Sequence, residues 1–226
     1  MIQSFYSKLG WAVFPYKQVA IEISNRFSPE KASLFTSTKP IKLEDIRELC
    51  ERDKALMKKR FQSIHDKEKT HITFTSSFPQ VSWHLIRTEF MAKILLNKIP
   101  QIKGAITESG KSWIYWDHDL RAKELVIIRL VSENHNDAPH SVVEDAEALL
   151  TAAVKEAVEW DIPKVCIWNP DKLISDAANK ISGGHDGSLQ TVYEDRGDHA
   201  IPSLRWREDK PVDDVVWDFN EYYAWC

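Results

Sequence analysis

The sequence predicts an α+β fold, and three stretches carry that prediction. Ser141–Pro170 (SVVEDAEALLTAAVKEAVEWDIPKVCIWNP) reads as one amphipathic helix feeding one buried strand. Leu125–Val131 is a nearly continuous Leu/Val/Ile run, the pattern of a strand covered on both faces. Ile102–Thr107 and Ser112–Trp116 are joined by Glu108-Ser109-Gly110, a hairpin turn signal. With 43% hydrophobic and 28% charged residues over 226 positions, the chain has apolar surface enough for one large or two small cores.

The elements follow in order. Met1–Leu9 reads as the last turns of a helix, with Gly10 at the C-cap. Val13–Ile23 alternates as a strand, with a turn near Pro15 and Val19, Ile21 and Ile23 on one side. Asn25–Pro40 is rich in Ser, Thr and Pro and lacks periodicity, so residues 26–40 are expected to be a linker. Lys42–Ile64 reads as a helix with Leu43, Ile46, Cys50, Met57, Phe61 and Ile64 inward. Ile72–Thr75 is a short strand by alternation. Ser82 is expected to cap a helix running to about Asn97, with Trp83, Ile86, Phe90, Ile94 and Leu95 inward, stopped by Pro100.

Within the apolar run Leu125–Val131, Arg129 is either at an exposed end or paired. In the long helix, Ser141 and Glu144 form a capping box. Val143, Ala146, Leu150, Ala153, Val154 and Ala157 then make the stripe, and Glu147, Lys155, Glu156 and Glu159 fall mostly off it. Pro163 ends that helix, and Val165–Trp168 follows as a buried strand. Leu125–Val131 and Val165–Trp168 are expected to be neighbouring central strands with the helix over one face. Asp171–Ile181 is a short helix broken by Ser182–Gly187. Leu189–Tyr193 and Ser203–Arg207 read as a strand pair. The tail, Val212–Cys226, carries Trp217, Phe219, Tyr222, Tyr223 and Trp225, too much apolar surface to be free, so it is expected to dock.

A net charge of −4 argues against a general nucleic-acid or anionic-membrane binder. No apolar run approaches the roughly 20 residues of a membrane helix, and no signal peptide is visible. The cysteines Cys50, Cys166 and Cys226 have no metal spacing, which fits a reducing, cytoplasmic compartment. Nine tryptophans are read as core residues rather than the walls of a groove.

Residue chemistry alone gives no catalytic signature. His185-Asp186 and Asp198-His199 flank one expected hairpin and form a possible metal set, but both pairs lie in turn-rich sequence and read as polar loops. In Trp116-Asp117-His118-Asp119, adjacent residues of a strand point to opposite faces, so this reads as a strand end. Ser182-Gly183-Gly184 follows a helix and lacks Lys, so it is no phosphate loop. Cys166 lies in a buried strand and is expected to be inert. Lys58-Lys59-Arg60 reads as part of a solvated face.

Two stretches carry a family resemblance. Phe5-Tyr6-Ser7-Lys8-Leu9-Gly10-Trp11 resembles the end of the fourth helix in GNAT-superfamily acetyltransferases. A wider set resembles the C-terminal domain of the fungal lysine acetyltransferase family. It comprises Ser82-Trp83-His84 with Arg87 and Glu89-Phe90, Lys103-Gly104-Ala105, Ile201-Pro202-Ser203-Leu204 with Trp206, and the terminal Tyr223-Ala224-Trp225-Cys226. The resemblance implies a GNAT-like mixed central sheet with flanking helices over residues 41–226, preceded by a partial GNAT helix–strand stub over residues 1–25, as in a truncated gene product or gene model.

The resemblance also implies an N-acetyltransferase that moves acetyl from acetyl-CoA to the amine of lysine. In that family the acetyl-CoA site lies in a GNAT domain preceding this region, where a Gly-rich loop holds the pyrophosphate. No such motif occurs here, and the loop after the central strand, Ser132–His140, has no glycine. The chain alone is therefore expected to bind no cofactor. The alternative is a non-catalytic domain: a substrate lid, a dimerisation surface or an orphan binding domain. By resemblance, Tyr6 stands where a tyrosine donates a proton to the departing thiolate. The Cys226 α-carboxylate, carried into a protected place by the aromatic tail, is the candidate base, since desolvation raises a carboxylate's pKa. The packing alternatives are a Tyr6 that rests beside Phe5 and Trp11, and a tail that only staples the fold.

Overall fold

The computed structural model describes residues 6–28, 38–66, 68–133, 139–184, 187–197, 200–207 and 211–225. In chain order the elements are β1 (Ala12–Val13), β2 (Lys17–Ile23), β3 (Thr38–Ile41), α1 (Ile46–Gln62), β4 (Thr70–Ile72), α2 (Phe78–Leu96), β5 (Gly104–Thr107), β6 (Ser112–Asp119) and β7 (Glu124–Ser132). There follow α3 (Pro139–Glu159), β8 (Lys164–Trp168), α4 (Lys172–Gly183), β9 (Leu189–Asp195), β10 (Ser203–Leu204) and β11 (Val215–Trp217). Short 3₁₀ turns lie at Leu43–Asp45, Val212–Asp214 and Tyr222–Ala224. Seven strands form one mixed sheet in the order β3-β5-β6-β7-β8-β2-β9. Its neighbours are antiparallel except β7 and β8, which are parallel.

The two central strands are where their apolar runs put them, side by side, with α3 crossing over between them. Leu125, Ile127, Val165 and Ile167 face α3 and α4 in one core, with Ala146, Leu149, Leu150, Ala153 and Val154 of α3. The opposite face is covered by α1, α2 and the tail, around Ile46, Met57, Leu85, Trp113, Tyr115, Ile128 and Tyr223. Gly104 begins β5 because nothing larger fits: a Cβ there would stand 2.0 Å from the Ile114 carbonyl oxygen. Among the described residues no helix is long and apolar enough to cross a membrane.

Four features depart from the sequence reading. The strand assigned to the stub, β2, lies inside the sheet between β8 and β9, pairing Val19 with Ile167 and with Tyr193. The end of the expected linker is the edge strand β3, whose Thr38–Ile41 pairs with β5; residues 29–37 lie outside the described residues. β9 and β10 do not pair with each other: β9 takes β2, and β10 takes β1.

The fourth departure is α2, whose buried side is the more polar one. It starts at Phe78 with Ser77 as N-cap, earlier than Ser82. Its buried residues are Val81, Ser82, His84, Leu85, Thr88 and Ala92, while Trp83, Ile86, Phe90 and Ile94 are 52–63% exposed. The reason is Asp117 of β6, which is buried and draws donors from this side of the helix. A buried carboxylate left unpaired would cost more than the exposure of a few apolar side chains. Glu156 of α3 turns inward for a similar reason, meeting His118 Nε2 at 2.9 Å.

Candidate functional site

The single parallel step in the sheet sets up the site. β7 and β8 stay in register at Leu125–Val165, Val126–Cys166 and Ile127–Ile167. Beyond Ile127, β7 continues to Ser132 with β6 as its partner. A bulge opposite Tyr115 and Trp116 gives β7 one extra residue, Ile128, so both Ile128 and Arg129 turn toward the α1 side. Where β7 and β8 part, a cavity of about 390 Å³ opens, walled by Leu130, Ile167, Asn169 and the tail residues Trp217–Glu221. The tail crosses this gap, and the Asn169 side-chain amide donates to the Asn220 carbonyl at 2.6 Å.

The cations around this gap are engaged. Arg129 donates to both carboxylate oxygens of Asp53, at 2.9 and 3.0 Å, and to Glu221. Arg60 donates to the Ser132 carbonyl. At the start of α4, the Asp171 carboxylate accepts from its own helix, from Ile174 N–H at 2.9 Å.

A second cavity, of about 420 Å³, opens over Val126 and Trp168 on the side of the sheet that carries the tail. Its wall gathers residues that the family resemblance also names: His84 and Arg87 from α2, and Trp225 beside Tyr222 from the tail. His84, Arg87 and Tyr222 meet around Asp117. Arg87 Nη2 donates to Asp117 Oδ2 at 2.8 Å and lies 3.1 Å from the Tyr222 hydroxyl, and Thr88 donates to Oδ1. The His84 ring stacks obliquely on Tyr222 at 4.8 Å, and Trp168 meets Tyr222 and Trp225 edge-on at 4.8 and 5.6 Å. Asp117 and His118 do point to opposite faces, as alternation requires. Each has its own buried partner set, so the stretch is more than the strand end expected of it.

Burial pushes the Asp117 carboxyl above the usual range, and Arg87 offsets part of that. Burial, then the charge of Arg87, push His84 down to about 4, the nearby backbone of Tyr223 and Trp225 offsetting only part. His84 is thus neutral near pH 7. Its folded pKa lies below its ordinary value, so the unfolded chain takes up the proton first as pH falls. Its stabilising contribution is complete above about pH 6.5 and is lost as pH falls toward 4. Between pH 7.5 and 5 the loss is expected to be about 2 kcal/mol. Urea melts at the two pH values check this: His84→Leu flattens the dependence, and parallel curves for parent and variant would refute it.

The structure places Tyr6 first among the helical residues 6–8, 45% exposed, with its ring edge-on to Trp11 at 5.9 Å. Tyr6 is absent from the described walls of both cavities. Cys226 lies outside the described residues, as do His185, Asp186, Asp198 and His199. Among the described residues no group of three or more His, Cys, Asp or Glu could hold a metal ion. Cys166 is buried, and burial pushes its thiol far up, so it is inert as expected.

The sequence model of the LYC1 GNAT-like C-terminal domain matches residues 21–226. A lysine acetyltransferase of Yarrowia lipolytica is 25% identical over 257 residues, an alignment covering 100% of this chain and 62% of the relative. The chain thus spans less than two thirds of that relative's length.

Proposed function

Since the chain belongs to the family of LYC1 GNAT-like C-terminal domains, we propose that it is the acceptor-side part of an N-acetyltransferase acting on the amine of lysine, with acetyl-CoA held by another part of the intact protein. The observation that carries this reading is the cavity over Trp168, where His84, Arg87 and Tyr222 gather around the buried Asp117 and Trp225 meets Trp168. The name of the Yarrowia relative supplies the acetyl group and the lysine.

The residues where β7 and β8 part argue against acetyl-CoA binding there. A pyrophosphate wants open backbone N–H groups or free cations. Here the α4 N-terminus is capped by Asp171, Arg129 is taken by Asp53 and Glu221, and the tail residues Trp217–Glu221 wall the opening. In the intact enzyme Tyr6 stays the candidate proton donor to the thiolate and the Cys226 α-carboxylate the candidate base, as the family resemblance implies.

Calorimetry of the purified chain with acetyl-CoA tests the reading. Heat absent up to millimolar cofactor is the expected result, and micromolar affinity overturns it. One observation favours a second reading, that of a non-catalytic dimerisation domain: the exposed apolar stripe of α2, Trp83, Ile86, Phe90 and Ile94. Sedimentation of the same sample separates the two, since a monomer removes the second.

A further inference from the structure

Arg196 follows directly on β9 and is 4% exposed. Its Nε and its backbone N–H both donate to the Tyr16 carbonyl, at 3.1 and 2.9 Å. The guanidinium carbon lies 3.7 Å from the centre of the Trp168 ring and 5.6 Å from that of Trp225. Its terminal nitrogens, Nη1 and Nη2, are buried and have no hydrogen-bond partner among the described residues. Other guanidinium groups near this face are satisfied: Arg129 has Asp53 and Glu221, Arg87 has Asp117, and Arg52 has Glu133. Burial alone lowers the Arg196 pKa, to about 10, so the group remains charged at neutral pH. A buried charge without a partner is costly, and folded proteins keep one where something comes to pair with it.

Arg196 stands in the wall of the second cavity, whose volume of about 420 Å³ suits a small molecule. The two other cations of that wall are spoken for, Arg87 by Asp117 and Lys164 by Glu124 at 2.7 Å. Against them stand the carboxylates of Asp119, Glu194 and Asp195. Aromatic surface from Trp168, Tyr222 and Trp225 lies in the same wall. His84 also faces this cavity, and neither of its buried ring nitrogens closes a hydrogen bond of normal geometry. The wall therefore holds one guanidinium fork unpaired among the described residues, an apolar middle and an acidic remainder. That pattern matches a flexible zwitterion.

Resting on the acceptor reading above, we infer that Arg196 grips the free α-carboxylate of an amino-acid acceptor, with the aliphatic stem along the aromatic wall and an ammonium toward the acidic side. Two parallel N–H···O bonds from Nη1 and Nη2 fit a carboxylate and nothing else that lysine carries. The consequence is specificity for free lysine. A lysine inside a polypeptide has its carboxyl tied up as an amide and offers no anion to the fork.

Tryptophan fluorescence, with Trp168 and Trp225 as reporters, follows titration of the chain with L-lysine, with pentane-1,5-diamine (lysine without its carboxylate) and with hexanoate. The expected result is that L-lysine binds at least tenfold tighter than the diamine, and that Arg196→Gln removes the difference. Arg196→Lys, which keeps the charge and loses the fork, is expected to fall between. Removing an unpaired buried charge should leave the melting temperature of Arg196→Gln equal or higher, which separates loss of binding from loss of fold. Equal affinities for lysine and the diamine, an unchanged lysine affinity in Arg196→Gln, or no binding of lysine or hexanoate at millimolar concentration each overturn the inference. If hexanoate binds as tightly as lysine and depends on Arg196, the carboxylate grip stands while the amine-acceptor reading fails.

Discussion

Ile21→Asp is expected to leave the chain unfolded at 25 °C. Ile21 is fully buried in β2, between β8 and β9, and packs into the core under α3 and α4. Truncating such a side chain alone costs about 2–5 kcal/mol. A carboxylate in its place adds several kcal/mol more, because no described cation lies in that core. Against a typical total stability of about 5–15 kcal/mol, the sum decides the outcome. Circular dichroism checks it, and a cooperative melt near the parent temperature would refute it. A gentler version removes residues 1–24 and adds a synthetic peptide of residues 12–24 in trans. The shortened chain should lack cooperative unfolding until the peptide fills the slot between β8 and β9.

Asp53→Ala is expected to cost about 3–5 kcal/mol, read as a shift in the urea midpoint at unchanged slope. Asp53 is fully buried on α1 and holds the buried Arg129 through two hydrogen bonds, while Glu221 of the tail holds the third side of the guanidinium. One charge cluster thus ties together a helix, the central strand and the tail. Losing Asp53 leaves a buried cation half-compensated. The double variant Asp53→Leu with Arg129→Met should regain most of the loss, since an apolar pair needs no charge balance. Additive losses in the double variant would show that shape, not charge, carries the effect.

The central architecture was legible because its signals are local. Leu125–Val131 is apolar except for Arg129 and Val165–Trp168 is apolar throughout, and only the middle of a sheet suits such strands. The rest depended on partners far along the chain. Arg129 could not be placed from sequence, because Asp53 lies 76 residues away. The periodicity of α2 showed an apolar face, yet the burial direction was set by Asp117 on another element. β9 and β10 looked like a hairpin by proximity, and β2 took the place beside β9.

The site was legible only in part. His84, Arg87 and Trp225 entered through family resemblance, and their convergence on Asp117 and Tyr222 became visible in three dimensions. The Asp117-His118 pair was noticed, but adjacency said nothing of Arg87 or Glu156. Arg196 gave no signal at all. A basic residue in a polar turn looks solvated, and the two tryptophans that enclose it sit at positions 168 and 225.

The position of β2 also fixes an order of assembly. During synthesis its residues emerge roughly 170 positions ahead of the last strand they pair with. At about 5–20 residues per second, the ribosome keeps that strand waiting for roughly 10–35 s. For that time Val19, Ala20 and Ile21, all buried in the finished sheet, stand beside unpaired backbone N–H and C=O groups. The hairpin of β6 and β7, by contrast, closes as soon as it is made. A segment made early is seated late, a keystone cut before the arch, and during that wait the nascent chain is most open to chaperones and to association with its neighbours.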